Sequence, residues 1–102
     1  MKNKDIEFNI FGTPYKLEFK ESRNSEDEWC YGTFNYARKN INISEKLEDG
    51  TKLPQREISL SKMHELVHAI CCEGQYFKIN EDEPFIEWMA KCLISLKEQG
   101  VI

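Results

Sequence analysis

Residues 61–70, Ser-Lys-Met-His-Glu-Leu-Val-His-Ala-Ile, contain the pattern His64-Glu65-x-x-His68, and these are the two histidines of the chain. Side chains four positions apart on a helix share one face, so both imidazoles can reach a single metal ion. Glu65 stands between them, where a carboxylate can take a proton from a water bound to that ion. The stretch therefore predicts a helix that holds a metal and carries a general base.

The apolar residues of this stretch follow the i, i+3, i+4, i+7 spacing of a helix with one buried stripe: Met63, Leu66, Val67 and Ile70. The histidines fall beside the stripe, as expected where a helix packs on one side and lines a cleft on the other. Pro54 suits a first helical turn and Gly74 a helix end, which predicts the motif helix over about 54–73. The alternative is a pair of partly buried histidines without a metal, and the coincidence of motif and predicted helix favours the metal.

The segment before the motif helix, about residues 5–44, has the alternating pattern of β-strands. Its first half predicts a hairpin with the turn at Gly12–Pro14. The inward-facing residues would be Ile6, Phe8, Ile10, Tyr15, Leu17 and Phe19. Its second half predicts two more strands between residues 29 and 44, with a turn at Arg38–Asn40 and a short strand at Ile41–Ile43.

A last helix is predicted over about 83–99, because acidic residues and Pro84 mark its start and Gly100 its end. We expect its main buried face to be Phe85, Met89, Cys92, Leu93 and Leu96. Further apolar residues extend around the rest of the helix: Ile86, Trp88, Ala90 and Ile94. This distribution predicts a helix that is covered on more than one side.

The length predicts one domain over residues 1–102, of the α+β class, with a small antiparallel or mixed sheet of three to four strands packed on the two helices. The net charge of −4 gives no basic surface for nucleic acid, so we expect no nucleic-acid partner. No apolar run approaches the ~18 residues of a membrane span, and the polar first residues are not followed by a signal-peptide core. We therefore expect no membrane partner and a cytoplasmic protein.

A catalytic zinc usually has three protein ligands, and the third ligand here must come from outside the motif. An extended form of the motif places a third histidine six residues after His68, but Gly74 stands there. Cys71 and Cys72 follow His68 by three and four residues, so either could complete a His-His-Cys site. The last helix offers Glu83 and Glu87, one turn apart on a stripe that lies opposite its expected main apolar face.

Short strands, then the motif at residues 64–70, then Glu83-x-x-Ile86-Glu87-x-x-Ala90 on a following helix, resemble the small zincin-like metallopeptidases of phages and mobile elements. The chain is more distantly similar to gluzincin-type peptidases that cleave transcriptional repressors. The resemblance implies a minimal zincin-like domain that binds Zn2+ through His64, His68 and Glu87, with Glu65 as the general base. It implies a peptide or protein substrate, a transcriptional repressor by analogy, and an edge strand near Ile41–Ile43 that pairs with it.

One departure from the family pattern lies four residues after Glu87, where Lys91 replaces the usual carboxylate or amide. An oxyanion donor is also required, and the candidates are Tyr31, Tyr36 and Tyr76. These points leave two alternatives to the peptidase. One is a non-catalytic zinc-binding regulatory or interaction protein of phage or mobile-element origin, and the other acts through partner contacts without a metal.

Overall fold

The computed structural model describes residues 3–102, and they form a mixed α+β fold with a four-stranded sheet and three helices. The elements are β1 (Ile6–Ile10), β2 (Thr13–Phe19), β3 (Gly32–Asn35), β4 (Asn40–Ile43), α1 (Gln55–Glu73), α2 (Phe77–Asn80) and α3 (Glu83–Glu98). The strand order in the sheet is β1-β2-β4-β3. The expected α+β class is confirmed, and the sheet is of the mixed kind, because β2 and β4 are parallel while the other two pairs are antiparallel.

The first hairpin turns at Phe11 and Gly12, one residue earlier than the predicted turn. Both residues have positive φ, 50° and 84°, which is the conformation of a tight two-residue hairpin turn. Thr13 and Pro14 instead begin β2, where Pro14 is paired with Asn9 of β1. A proline is tolerated there because the pairing of β2 with β4 begins only at Lys16.

The two strands next to the motif helix do not have the arrangement that the resemblance implied. β4, which contains Ile41–Ile43, is an interior strand between β2 and β3. The expected edge-strand role of Ile41–Ile43 is therefore wrong, and the edge strand is β3, Gly32–Asn35. The turn that joins the two strands lies at residues 36–39, so Asn40 belongs to β4 rather than to the turn.

The core lies between the sheet and α1. Its buried members from the sheet are Tyr15, Leu17, Ile41 and Ile43, and from α1 they are Ile58 and Ala69. The predicted α1 stripe is only partly correct, because Ile70 is 48% exposed while Ala69 is fully buried. The helix contacts the sheet and α3 at once, so its buried residues do not follow a single stripe.

The buried face of α3 differs from the prediction. Its fully or nearly fully buried residues are Ile86, Ala90 and Ile94, whereas Trp88 is 58% exposed and Leu96 is 38% exposed. The helix therefore packs with the side that carries Ala90 and Ile94 directed inwards, and α1 is the element against it. Glu83 and Glu87 lie on this same side, which directs them towards the motif helix.

The ends of α1 and α3 are close to the predicted positions. Pro54 is the N-cap of α1 and Gly74 its C-cap, and the left-handed conformation falls on Gln75, at φ 65°.

The sequence analysis did not predict α2, a single turn between the two long helices. Within residues 3–102, no helix combines the length and the apolar character that crossing a membrane requires.

Candidate metal centre

The carboxylate of Glu83 lies against both histidines of the motif. Its Oε1 is 3.0 Å from Nε2 of His68, and its Oε2 is 3.2 Å from Nε2 of His64. The two imidazole rings are neighbours on α1, with centroids 4.9 Å apart. The three side chains bring one potential ligand atom each to within 4.8 Å of one another.

The opposite nitrogen of each ring also faces an oxygen. Nδ1 of His64 is 2.7 Å from Oε2 of Glu87, and Nδ1 of His68 is 2.7 Å from Oδ1 of Asn80. A neutral imidazole has one N–H, so it can donate to one of these oxygens while its other nitrogen offers a lone pair. Donation from Nδ1 to Glu87 and to Asn80 leaves both Nε2 lone pairs directed at the carboxylate of Glu83.

With both histidines in this Nδ1–H tautomer, two imidazole lone pairs and a carboxylate face one another, an arrangement that a positive charge between them would stabilise. Protons could supply that charge, but two imidazolium rings at 4.9 Å repel each other. The contacts of 3.0 and 3.2 Å are made by different oxygens of Glu83, and one ligand atom from each of the three side chains lies within 4.8 Å of the others, so small side-chain shifts would let them share an ion with bonds of ~2.0–2.1 Å. Two nitrogens and one oxygen are also a donor set that zinc accepts. The residues therefore fit a divalent cation of this kind.

Three local features of the chain between the long helices position Asn80 and Glu83. The positive φ of Gln75, at 65°, lets the chain leave α1 and form the single turn of α2, and Asn80 ends that turn. Asp82 then caps α3, because its Oδ1 accepts a hydrogen bond of 3.2 Å from the backbone N–H of Phe85. This cap places Glu83 in the first turn of α3, where a carboxylate is also favoured by the helix dipole.

Glu65 lies beside the histidines, partly buried against the edge strand. The pKa of its carboxyl is raised to about 7, mainly by burial. The nearby His68 lowers this pKa, and the negative charge of Glu83 raises it. A Cβ atom at Gly32 would come within 3.1 Å of Cγ of Glu65, so β3 approaches the carboxylate closely because its residue there has no side chain. A carboxyl with a pKa near neutrality is suited to accept and return a proton.

Two cavities meet at Gly32, His64 and Glu65, which line both of them. The larger has a volume of about 870 Å³ and extends past His68 and Asn80. The smaller has a volume of about 390 Å³ and extends past Tyr31 towards the first turns of α1. The candidate centre thus stands in an open cleft with space on either side of Glu65.

The structure brings together five of the residues that the sequence analysis selected, and two of them, Glu83 and Glu87, exchange the places that the resemblance implied. His64, His68 and Glu65 lie together on α1 and line the same cleft. Glu83, the second choice for the third ligand, is the carboxylate that faces both Nε2 atoms, while Glu87 contacts the far nitrogen of His64. Neither Cys71 nor Cys72 belongs to the cluster, and both are free thiols.

The three tyrosines proposed as oxyanion donors, and Lys91, have different environments. Tyr31 lines the smaller cavity with Glu65, whereas Tyr76 is 64% exposed and Tyr36 packs its ring against Phe77. Nζ of Lys91 lies 3.9 Å from Oε1 of Glu87, so the residue that departs from the family pattern is an ion partner of that carboxylate.

Asn80 and Gly32 are the two residues of the centre that sequence reasoning missed. Asn80 gives no helical-spacing signal, because it lies on a separate short helix. Gly32 fits the alternating pattern of a predicted strand. That pattern does not show which strand residue approaches Glu65, because this is a tertiary contact between β3 and α1.

Comparisons of the chain with protein-family models, with curated proteins and with solved structures found no match.

Proposed function

We propose that this protein is a small zinc-dependent metallopeptidase of the zincin-like kind. The observation that carries the proposal is the placement of Glu83 against the Nε2 atoms of both histidines, with Glu65 at the floor of the same cleft. In this proposal His64, His68 and Glu83 hold the ion, and Glu65 is the general base. The substrate is a peptide or protein, and transcriptional repressors are candidates by the resemblance noted from the sequence.

Each residue of the centre has a defined task in this mechanism. A zinc ion held by these residues would supply Lewis acidity, which lowers the pKa of water to near neutrality. Glu65 accepts the proton of the attacking water and later donates it to the leaving amine. Glu87 and Asn80 orient the rings of His64 and His68 by accepting from their Nδ1–H groups. In this mechanism Tyr31 donates a hydrogen bond to the substrate carbonyl oxygen; the support for this role is that it lines the smaller cavity together with Glu65.

A zinc-binding protein without turnover is the second candidate function. The observation that favours it is Lys91, whose ammonium group contacts Glu87 at 3.9 Å in place of the carboxylate or amide expected there. A cation at this position weakens the ability of Glu87 to support the imidazole of His64. This candidate predicts zinc in the purified protein and no peptide-bond cleavage.

The decisive experiment compares the wild-type protein with Glu65→Gln and with a control, Glu81→Gln. Glu81 lines the larger cavity but has no part in the mechanism. Each protein is loaded with Zn2+, its metal content is measured by elemental analysis, and cleavage of a mixed peptide library is followed by mass spectrometry. We expect one zinc per chain in all three and a loss of cleavage of at least ~100-fold in Glu65→Gln alone.

Three results would oppose the proposal in different ways. If zinc-loaded wild type and Glu65→Gln show the same absence of cleavage, the protein is the non-catalytic zinc binder. If both cleave at the same rate, the general base is not Glu65. A wild-type protein that takes up no zinc would exclude both candidate functions.

A further inference from the structure

The smaller of the two cavities has a lining unlike that of the larger. Its non-charged walls include the ring of Tyr31, the side chain of Leu60 and the thiol of Cys30. Tyr31 is held in place by an edge-on contact with Trp29, with ring centroids 5.1 Å apart. At about 390 Å³ the cavity is in the range of small ligand sites, ~300–1,000 Å³. An elongated apolar group can therefore enter it from the cleft.

The charged groups of this cavity other than histidine are all carboxylates: Glu57, Glu65 and Glu87. Glu65 and Glu87 already have tasks at the metal centre, and Lys91 is near Glu87. Glu57 differs from them, because within residues 3–102 its carboxylate makes no ion pair and accepts no hydrogen bond. It is exposed on the first turn of α1, eight residues before Glu65, and lines the same cavity.

A bound zinc ion would leave the charge of Glu57 without a partner. The ion would be held by His64, His68 and Glu83, and Lys91 lies beside Glu87. Glu57 stands seven residues before His64 on α1, about 10 Å along the helix axis, so a cationic group is favoured at its end of the cavity.

We propose that the smaller cavity is a substrate subsite for a lysine or arginine side chain. The aliphatic stem lies against Tyr31 and Leu60, and the cationic head reaches Glu57. This inference rests on the proposed function, because a peptide whose scissile bond lies at Glu65 places a neighbouring side chain in this cavity. It adds a substrate class: peptides with a basic residue next to the cleaved bond.

The larger cavity has a lining of mixed charge. It includes two arginines, Arg23 and Arg38, three carboxylates, Glu65, Glu81 and Glu83, and several amide side chains: Asn24, Asn35, Asn40, Asn42 and Asn80. The smaller cavity is lined by carboxylates without a lysine or arginine, so it is the side of the cleft that favours a basic side chain.

The first test measures binding without cleavage. Zinc-loaded protein is titrated with n-butylguanidine and with N-butylurea, its neutral isostere, and the NMR signals of Tyr31 and Leu60 are followed. We expect n-butylguanidine to bind roughly fivefold more tightly, the effect of one partly exposed ion pair. Glu57→Gln should remove this preference. Glu7→Gln should keep it, because Glu7 lies on β1 at the opposite edge of the sheet.

The second test uses peptide pairs that contain either arginine or its neutral isostere citrulline at each position around the cleaved bond. We expect faster cleavage of the arginine peptide at one position and a loss of that preference in Glu57→Gln. Equal cleavage of both members of every pair would overturn the subsite and leave the peptidase standing. A cation preference at Tyr31 without any cleavage would keep the cavity as a cation site and overturn the peptidase. Equal binding of the two small probes would overturn the subsite by itself.

Discussion

Oε2 of Glu87 lies 2.7 Å from Nδ1 of His64, on the side of the ring away from Glu83. The contact makes Glu87 a support for a ligand, and it makes Glu83 the third ligand of the proposed centre. The two roles differ in energy, because removing a ligand opens the coordination sphere whereas removing its support usually weakens binding by only ~10–100-fold.

We therefore predict that Glu83→Ala loses tight zinc binding and that Glu87→Ala retains it with an affinity lowered by ~10–100-fold. Competition with a chelator of known affinity measures both values, and Glu81→Ala serves as the neighbouring control with little change. The reverse order, with Glu87→Ala the more damaging, would restore the ligand assignment that the family resemblance implied.

Asn80 should contribute to zinc affinity through His68. Its Oδ1 lies 2.7 Å from Nδ1, so it fixes the ring with Nε2 directed at Glu83. We predict that Asn80→Ala weakens zinc binding by ~10–100-fold and that Asn80→Asp, which keeps the acceptor, preserves it. An unchanged affinity in Asn80→Ala, measured by the same chelator competition, would show that the contact does not orient the ring.

Gly32 should matter for turnover rather than for metal binding. An added Cβ would lie 3.1 Å from Cγ of Glu65 and 3.0 Å from Cδ1 of Ile43, so one of the two side chains must move. We predict that Gly32→Ala lowers kcat by ~10–100-fold, the effect of misplacing a catalytic group by up to 1 Å, while zinc affinity stays the same.

The matched variant for Gly32→Ala combines it with Ile43→Val, which removes the Cδ1 atom in the closer contact. If the loss of kcat persists in the double variant while its thermal stability recovers, the displaced group is Glu65. If kcat recovers as well, the effect came through the core and Gly32 has no positioning role.

The packing of α3 predicts opposite outcomes for two residues that are two positions apart. Ile86 is fully buried and Trp88 is 58% exposed. Truncating a buried isoleucine to alanine costs about 2–5 kcal/mol, so Ile86→Ala should lower the free energy of unfolding by that amount. Trp88→Ala should change it by about 0.5 kcal/mol or less. Urea denaturation measures both, and the opposite ranking would contradict the observed orientation of α3.

The motif helix and the strands could be predicted because their patterns are local. The spacing of His64 and His68 and the alternation along the strands are properties of neighbouring residues, and each element is present within a few residues of its expected bounds. The order of the strands in the sheet, in contrast, depends on contacts between residues that are far apart in the sequence. Alternation is the same for an interior strand and an edge strand, so it could not show that β3 rather than β4 forms the edge beside Glu65.

The orientation of α3 could not be predicted for a related reason. Apolar residues occur around most of this helix, so two buried faces, one through Met89 and one through Ala90, were both consistent with its sequence. Only packing against α1 selects the face with Ala90. The choice between Glu83 and Glu87 depends on that same packing, because the two carboxylates are one turn apart and the axial position of the helix decides which reaches Nε2.

The contacts of the metal centre join residues that are close along the chain. His68 and Asn80 are 12 positions apart and His64 and Glu87 are 23, whereas the hydrogen bond from Tyr15 on β2 to Glu73 on α1 spans 58. Closing a shorter loop costs less chain entropy. The histidines and acids can therefore meet while the N-terminal strands are still unpaired, and a cation present during refolding would speed the docking of α3 on α1 before it affects the sheet.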